Sequence, residues 1–85
     1  MIEEEQELVR DALEYVKSSG TTGVLKSKLL GALRDRRGQL LTPEQQAVIF
    51  GILTGRCWII GYVEPLWHNT RYTLTAAGLT ALEQM

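Results

Sequence analysis

The sequence predicts an α+β fold, mostly helical: a three-helix core, a two- or three-stranded antiparallel sheet and a short C-terminal helix. Three observations predict it. Val9, Ala12, Leu13 and Val16, with Leu8 beside them, form an apolar stripe at 3–4 spacing, the period of an amphipathic helix. Thr42-Pro43-Glu44-Gln45 is a compact helix start: Thr42 accepts a backbone N–H, Pro43 suits the first helical position and Gln45 completes a capping box. Cys57-Trp58-Ile59-Ile60-Gly61-Tyr62-Val63 is too rich in aromatic and β-branched residues to be helix, and Arg71-Tyr72-Thr73-Leu74-Thr75 alternates as its partner strand.

The elements follow in order. Glu3 to Lys17 reads as the first helix, with Glu4, Glu7, Asp11 and Glu14 on the face opposite the apolar stripe. Ser18 to Gly23 ends it in a loop rich in Gly, Ser and Thr. Val24 and Leu25 are expected as a one- or two-residue strand pairing with the later hairpin. Lys26 to Arg37 reads as the second helix, with Leu29, Leu30 and Leu33 inward and Gly38 as its cap. In the third helix, from Thr42 to Gly55, projection at 100° per residue turns Val48, Ile49, Ile52 and Leu53 inward. Glu44, Ala47, Gly51 and Thr54 then face outward, with Phe50 and Gln46 on the flank. Pro65 to Thr70 joins the two strands, where Trp58 and Tyr62 are expected as core or half-buried packing.

This order of elements resembles the winged helix-turn-helix superfamily. The phrases that carry the resemblance are Gly23-Val24-Leu25-Lys26-Ser27-Lys28-Leu29-Leu30 and Arg71-Tyr72-Thr73-Leu74-Thr75-Ala76-Ala77-Gly78-Leu79. The second is similar to the aromatic-x-Leu-Thr-x-x-Gly segment with which many members close the wing and enter a C-terminal helix. The resemblance is one of architecture, covers nearly the whole chain and singles out no subfamily. It implies a transcriptional regulator or accessory factor that binds double-stranded DNA as a dimer.

Size and composition bound that expectation. Eighty-five residues make one domain, 1–85, with room for a single modest core. No apolar run approaches the ~20 residues that span a bilayer, the acidic start is wrong for a signal peptide, and one cysteine allows no internal disulfide. A cytoplasmic protein without a membrane partner is expected. The net charge of −1 is unlike a typical DNA-binding module, but it is unevenly spread. Residues 1–20 carry six acids against Arg10 and Lys17, whereas residues 21–40 carry Lys26, Lys28, Arg34, Arg36 and Arg37 against Asp35. Acid behind and base in front would suit DNA; two solvated helix faces are the plainer reading.

The residues expected to meet DNA are Lys26 and Lys28 at phosphates, Gln46 at bases, and Arg71 with His68 or Asn69 in the flanking groove. Against this, the outer face of the third helix carries no Lys or Arg before Arg56. The alternative is a protein-interaction module that binds no nucleic acid and docks a partner through Ala47, Phe50, Gly51 and Thr54, with Trp67 as an anchor. Trp67 otherwise folds back on the hairpin and Asn69 serves the turn. A homodimer is expected under the DNA reading, with Leu79, Leu82 and Met85 or the first helix as its seam.

Catalysis has little support. His68 and Cys57 are the only residues of their types, no third group orients them, and Cys57 reads as a small buried hydrophobe. No spacing makes a zinc or calcium site, and Gly20 to Gly23 lacks the ending of a phosphate loop. The chain is expected to be no enzyme and to hold no cofactor or metal.

Overall fold

The computed structural model describes residues 2–85. Along them run α1 (Glu3–Ser18), β1 (Val24–Leu25), α2 (Lys26–Ala32), α3 (Pro43–Gly55), β2 (Ile59–Val63), β3 (Thr70–Leu74) and α4 (Ala76–Glu83), with a single 3₁₀ turn at Gly20–Thr22. The three strands form one antiparallel sheet in the order β1-β3-β2. Among the described residues no helix is long and apolar enough to cross a membrane.

The predicted stripe of α1 is the floor of the core. Val9, Ala12, Leu13 and Val16 are fully buried, and Leu8 nearly so. Glu3, Glu4 and Glu5 fill the first turn and Lys17 the last, so charge complements the helix dipole at both ends. On this stripe lie Leu29 and Leu30 of α2, Ile49 and Leu53 of α3, Val24 of β1 and Ile59 of β2, in one continuous cluster. The capping box of α3 is complete. The Gln45 N–H donates to Thr42 Oγ1 at 3.2 Å, and the Thr42 N–H donates to Gln45 Oε1 at 2.9 Å; a cap of this kind contributes about 1 kcal/mol.

Two boundaries differ from expectation. The helix predicted to reach Arg37 stops at Ala32, and Leu33 is already extended at φ −79°, ψ 142° while still buried. The reason is local. The Asp35 carboxylate accepts the N–H groups of Arg37 at 2.8 Å and Gln39 at 2.9 Å, an Asx turn that competes with helix. Gly38, at φ 77°, closes this turn rather than capping the helix, and Arg34 bridges to Leu40 across it. The strand predicted from Cys57 begins only at Ile59, because α3 unwinds through a turn in which Cys57 takes φ 56°. Cys57 is therefore exposed, not a buried hydrophobe.

Gly23 and Gly78 permit close approaches of backbone to backbone. Gly23, at φ 78°, lies so close to β3 that a Cβ there would sit 3.0 Å from the Tyr72 carbonyl oxygen. Gly78 is buried where α4 crosses the start of β2, and a Cβ there would collide with the Trp58 carbonyl. The Thr75 side chain fixes that crossing: its Oγ1 accepts the Gly78 N–H at 3.0 Å and donates to the Cys57 carbonyl at 2.6 Å. Gly51, in contrast, meets nothing within 4 Å. Gly78→Ala should therefore destabilise the fold by about 3 kcal/mol. Gly51→Ala should stabilise it by about 1 kcal/mol through helix propensity alone. Urea unfolding of the two variants beside the parent checks both signs.

Candidate functional site

The two sets of residues expected to carry function fall on neighbouring surfaces. Lys26, Gln46 and Asn69 come together. They line one open groove of about 640 Å³ between α2, α3 and the β2–β3 hairpin, with Ser27, Leu30 and Tyr72. Lys26 Nζ lies 4.4 Å from the centroid of the Phe50 ring, a cation–π arrangement. Phe50 in turn meets Tyr72 edge-on, centroids 5.1 Å apart at 88°. Gln46 is less free than its position suggests, because its amide donates to the Leu41 carbonyl at 3.3 Å.

Lys28 and Arg71 border a different depression, beside Tyr15 and Ser19 of the first helix end. Arg71 is half-buried and engaged. Its Nε donates to Glu64 Oε1 and its Nη1 to the Gly23 carbonyl at 3.4 Å. The expected phosphate contact is thus an ion pair within the hairpin, with a further bond to the residue before β1. His68 stands exposed at φ 56°, closing a four-residue loop. The Glu64 N–H donates to the Asn69 carbonyl at 2.8 Å and the His68 N–H to the Glu64 carbonyl at 3.0 Å.

The outer face of α3 is as bare as predicted: Ala47, Gly51 and Thr54 are exposed and Phe50 is half-buried. Val48 departs from expectation. It is 46% exposed and lines a cleft of about 280 Å³ with Ile2, Leu8 and Ile49, rimmed by Glu4, Glu5 and Glu44. It sits on the flank of α3 that faces the first turn of α1, where no further element covers it.

The largest departure is the hairpin. Trp67 does not fold back; it is 72% exposed, beside Leu66 at 83% and Val63 at 59%. Ile60 is 60% exposed and Tyr62 is more open than a core residue, its hydroxyl reaching across the sheet to the Thr22 carbonyl at 2.5 Å. Ile60, Val63 and Leu66 were not singled out from the sequence. A strand apolar on both faces, Ile59 to Val63, reads as a buried one, and no local signal marks its outer residues as exposed.

Basic charge is also partly consumed. Arg36 grips Glu7 of α1 with two bonds, Nε to Oε2 and Nη2 to Oε1, both 3.2 Å, and Arg34 donates to the carbonyls of Gly31 and Leu33. The hydrogen bonds from Arg36 hold the Glu7 carboxyl below its ordinary pKa of 4.5. A depressed folded-state pKa means that the pair stabilises the fold above about pH 4.5 and fades as acid protonates Glu7. Arg36→Ala should return the Glu7 pKa toward 4.5, as a carboxyl NMR titration would read; an unmoved value would contradict the pair.

Among the described residues no three His, Cys, Asp or Glu side chains converge as metal ligands do. Compared with protein-family models, curated proteins and solved structures, the chain matches none of them.

Proposed function

We propose that this chain is a winged-helix protein-interaction module whose working surface is the apolar β2–β3 hairpin. The winged-helix reading is supported by the element order and by the sheet order β1-β3-β2, with the short strand after the first helix paired to the hairpin. The observation that carries the functional reading is the chemistry of the wing. Val63, Leu66 and Trp67 stand exposed together, and the one arginine of the hairpin is neutralised by Glu64. A wing that entered a DNA groove would present free cations there. A wing that docks on protein presents an aromatic anchor with aliphatic neighbours and little charge. The third helix is consistent with the same reading, since Ala47, Gly51 and Thr54 offer no Arg, Lys, Asn or Gln for bidentate contacts to bases.

DNA binding is the second reading, and one observation favours it: Lys26, Gln46 and Asn69 line a single groove. In that reading Lys26 and Lys28 meet phosphates at the start of α2, and the bare face of α3 contributes shape alone.

Fluorescence anisotropy with a labelled mixed-sequence duplex separates the two. The expected result is no saturable binding at tens of micromolar protein in low salt. Binding that weakens steeply with salt and is lost in the Lys26→Glu/Lys28→Glu variant would overturn the protein-interaction reading in favour of DNA.

A further inference from the structure

β2 is the outer strand of the sheet, and one of its edges faces no other strand. Which of its backbone groups point outward follows from the ladder. At its two ends the Glu64 N–H donates to the Asn69 carbonyl and the Thr75 N–H to the Trp58 carbonyl. In the register Ile60↔Thr73 and Tyr62↔Arg71, antiparallel alternation makes these the bonded pairs. The N–H and C=O groups of Ile59, Gly61 and Val63 therefore turn away from β3. Ile59 is buried, which leaves Gly61 and Val63 as the exposed outward-facing pair.

We propose that β2 pairs antiparallel with β2 of a second copy, about a two-fold axis at Tyr62, joining two sheets into one. The proposal rests on the protein-interaction reading and names its partner. This register sets Gly61 against Val63 of the other copy and Val63 against its Gly61. Each such pair exchanges both N–H···O=C bonds, and no buried group is called upon. Val63 then meets the position where Gly61 has no side chain, beside the Tyr72 ring that already covers that glycine.

Three features favour a second copy over another occupant. Ile59 to Val63 carries no charge, and natural edge strands that must stay single carry Lys or Pro. The strand is matched to itself, since every cross-strand neighbour along Gly61 to Val63 is apolar or aromatic. The open apolar surface is also there. Ile60, Tyr62, Val63, Leu66 and Trp67 are 41–83% exposed and leave on the order of 700 Å² open per chain, an upper limit on what pairing could bury from these side chains, against the roughly 800 Å² per partner of a standard interface. The dimer expected is therefore a dissociable one. Pairing about a two-fold consumes the open edge of β2, while the opposite edge is the two-residue β1 leading directly into α2. The assembly therefore closes as a dimer and does not propagate.

Analytical ultracentrifugation of the full chain across a concentration series, alone and with a labelled duplex, tests this. The expected result is a concentration-dependent dimer whose dissociation constant rises by roughly tenfold in Val63→Lys, which brings a lysine of each copy to an otherwise uncharged edge. Amide hydrogen exchange on the parent chain gives a readout that needs no variant. Gly61 and Val63 should gain protection as concentration rises, whereas Ile60 and Tyr62 are protected throughout. A chain that stays monomeric, or exchange at Gly61 and Val63 that ignores concentration, would overturn the pairing. A monomer without bound duplex would overturn it while leaving the protein-interaction reading standing. A monomer that co-sediments with duplex would overturn both, and a β2-paired dimer that co-sediments with duplex would leave the pairing and remove the reading.

Discussion

The apolar strip along α1 is the constraint to which every other element answers. Val9, Ala12, Leu13 and Val16 are fully buried, and α2, α3, α4 and β3 all pack against this one helix. Ala12 keeps the surface low enough for close approach, and Leu13 supplies bulk whose loss would cost roughly 2–5 kcal/mol. Because α1 is covered on this side, its acidic side faces solvent. Glu7 and, more distantly, Glu3 pair with Arg36 and fasten the loop between α2 and α3 against α1. The position of α3, and with it the groove holding Lys26, Gln46 and Asn69, is set by that packing.

Small domains bury a limited share of their surface, and here the core cluster leaves the outer part of the hairpin uncovered. The core closes at Ile59, and the rest of β2 runs outward without cover. What the hairpin exposes is therefore a matter of sequence choice. The chain places Ile60, Val63, Leu66 and Trp67 there, and balances the one arginine with Glu64. Exposed apolar clusters of this kind mark interaction surfaces. The absence of a free cation among them is what turns the reading from nucleic acid to protein.

The fold was largely legible in the sequence where the governing physics is local. The period of α1 and the capping box at Thr42 and Gln45 needed only neighbouring residues, whereas the pairing of Val24-Leu25 with the hairpin followed from the order of elements. The failures have two causes. The end of α2 was a local competition that periodicity alone does not weigh, in which the Asp35 carboxylate outbids a helical turn and Gly38 serves that turn instead of a cap. Cys57 lies in a left-handed turn at the end of α3, with its carbonyl held by Thr75 from eighteen residues on, a contact that no single segment records. For the candidate site, the bare outer face of α3 was readable by projection. The engagement of Arg71 by Glu64 and the exposure of Trp67 were not, since both depend on what the finished core leaves uncovered.

The central claim is that the hairpin tip is a surface that protein covers. The most direct test is the emission of Trp67, isolated in a Trp58→Phe background, followed as protein concentration rises and then as duplex DNA is added. A blue shift that grows with protein concentration and ignores DNA is the predicted result. A spectrum indifferent to protein concentration that shifts when duplex is added would contradict it.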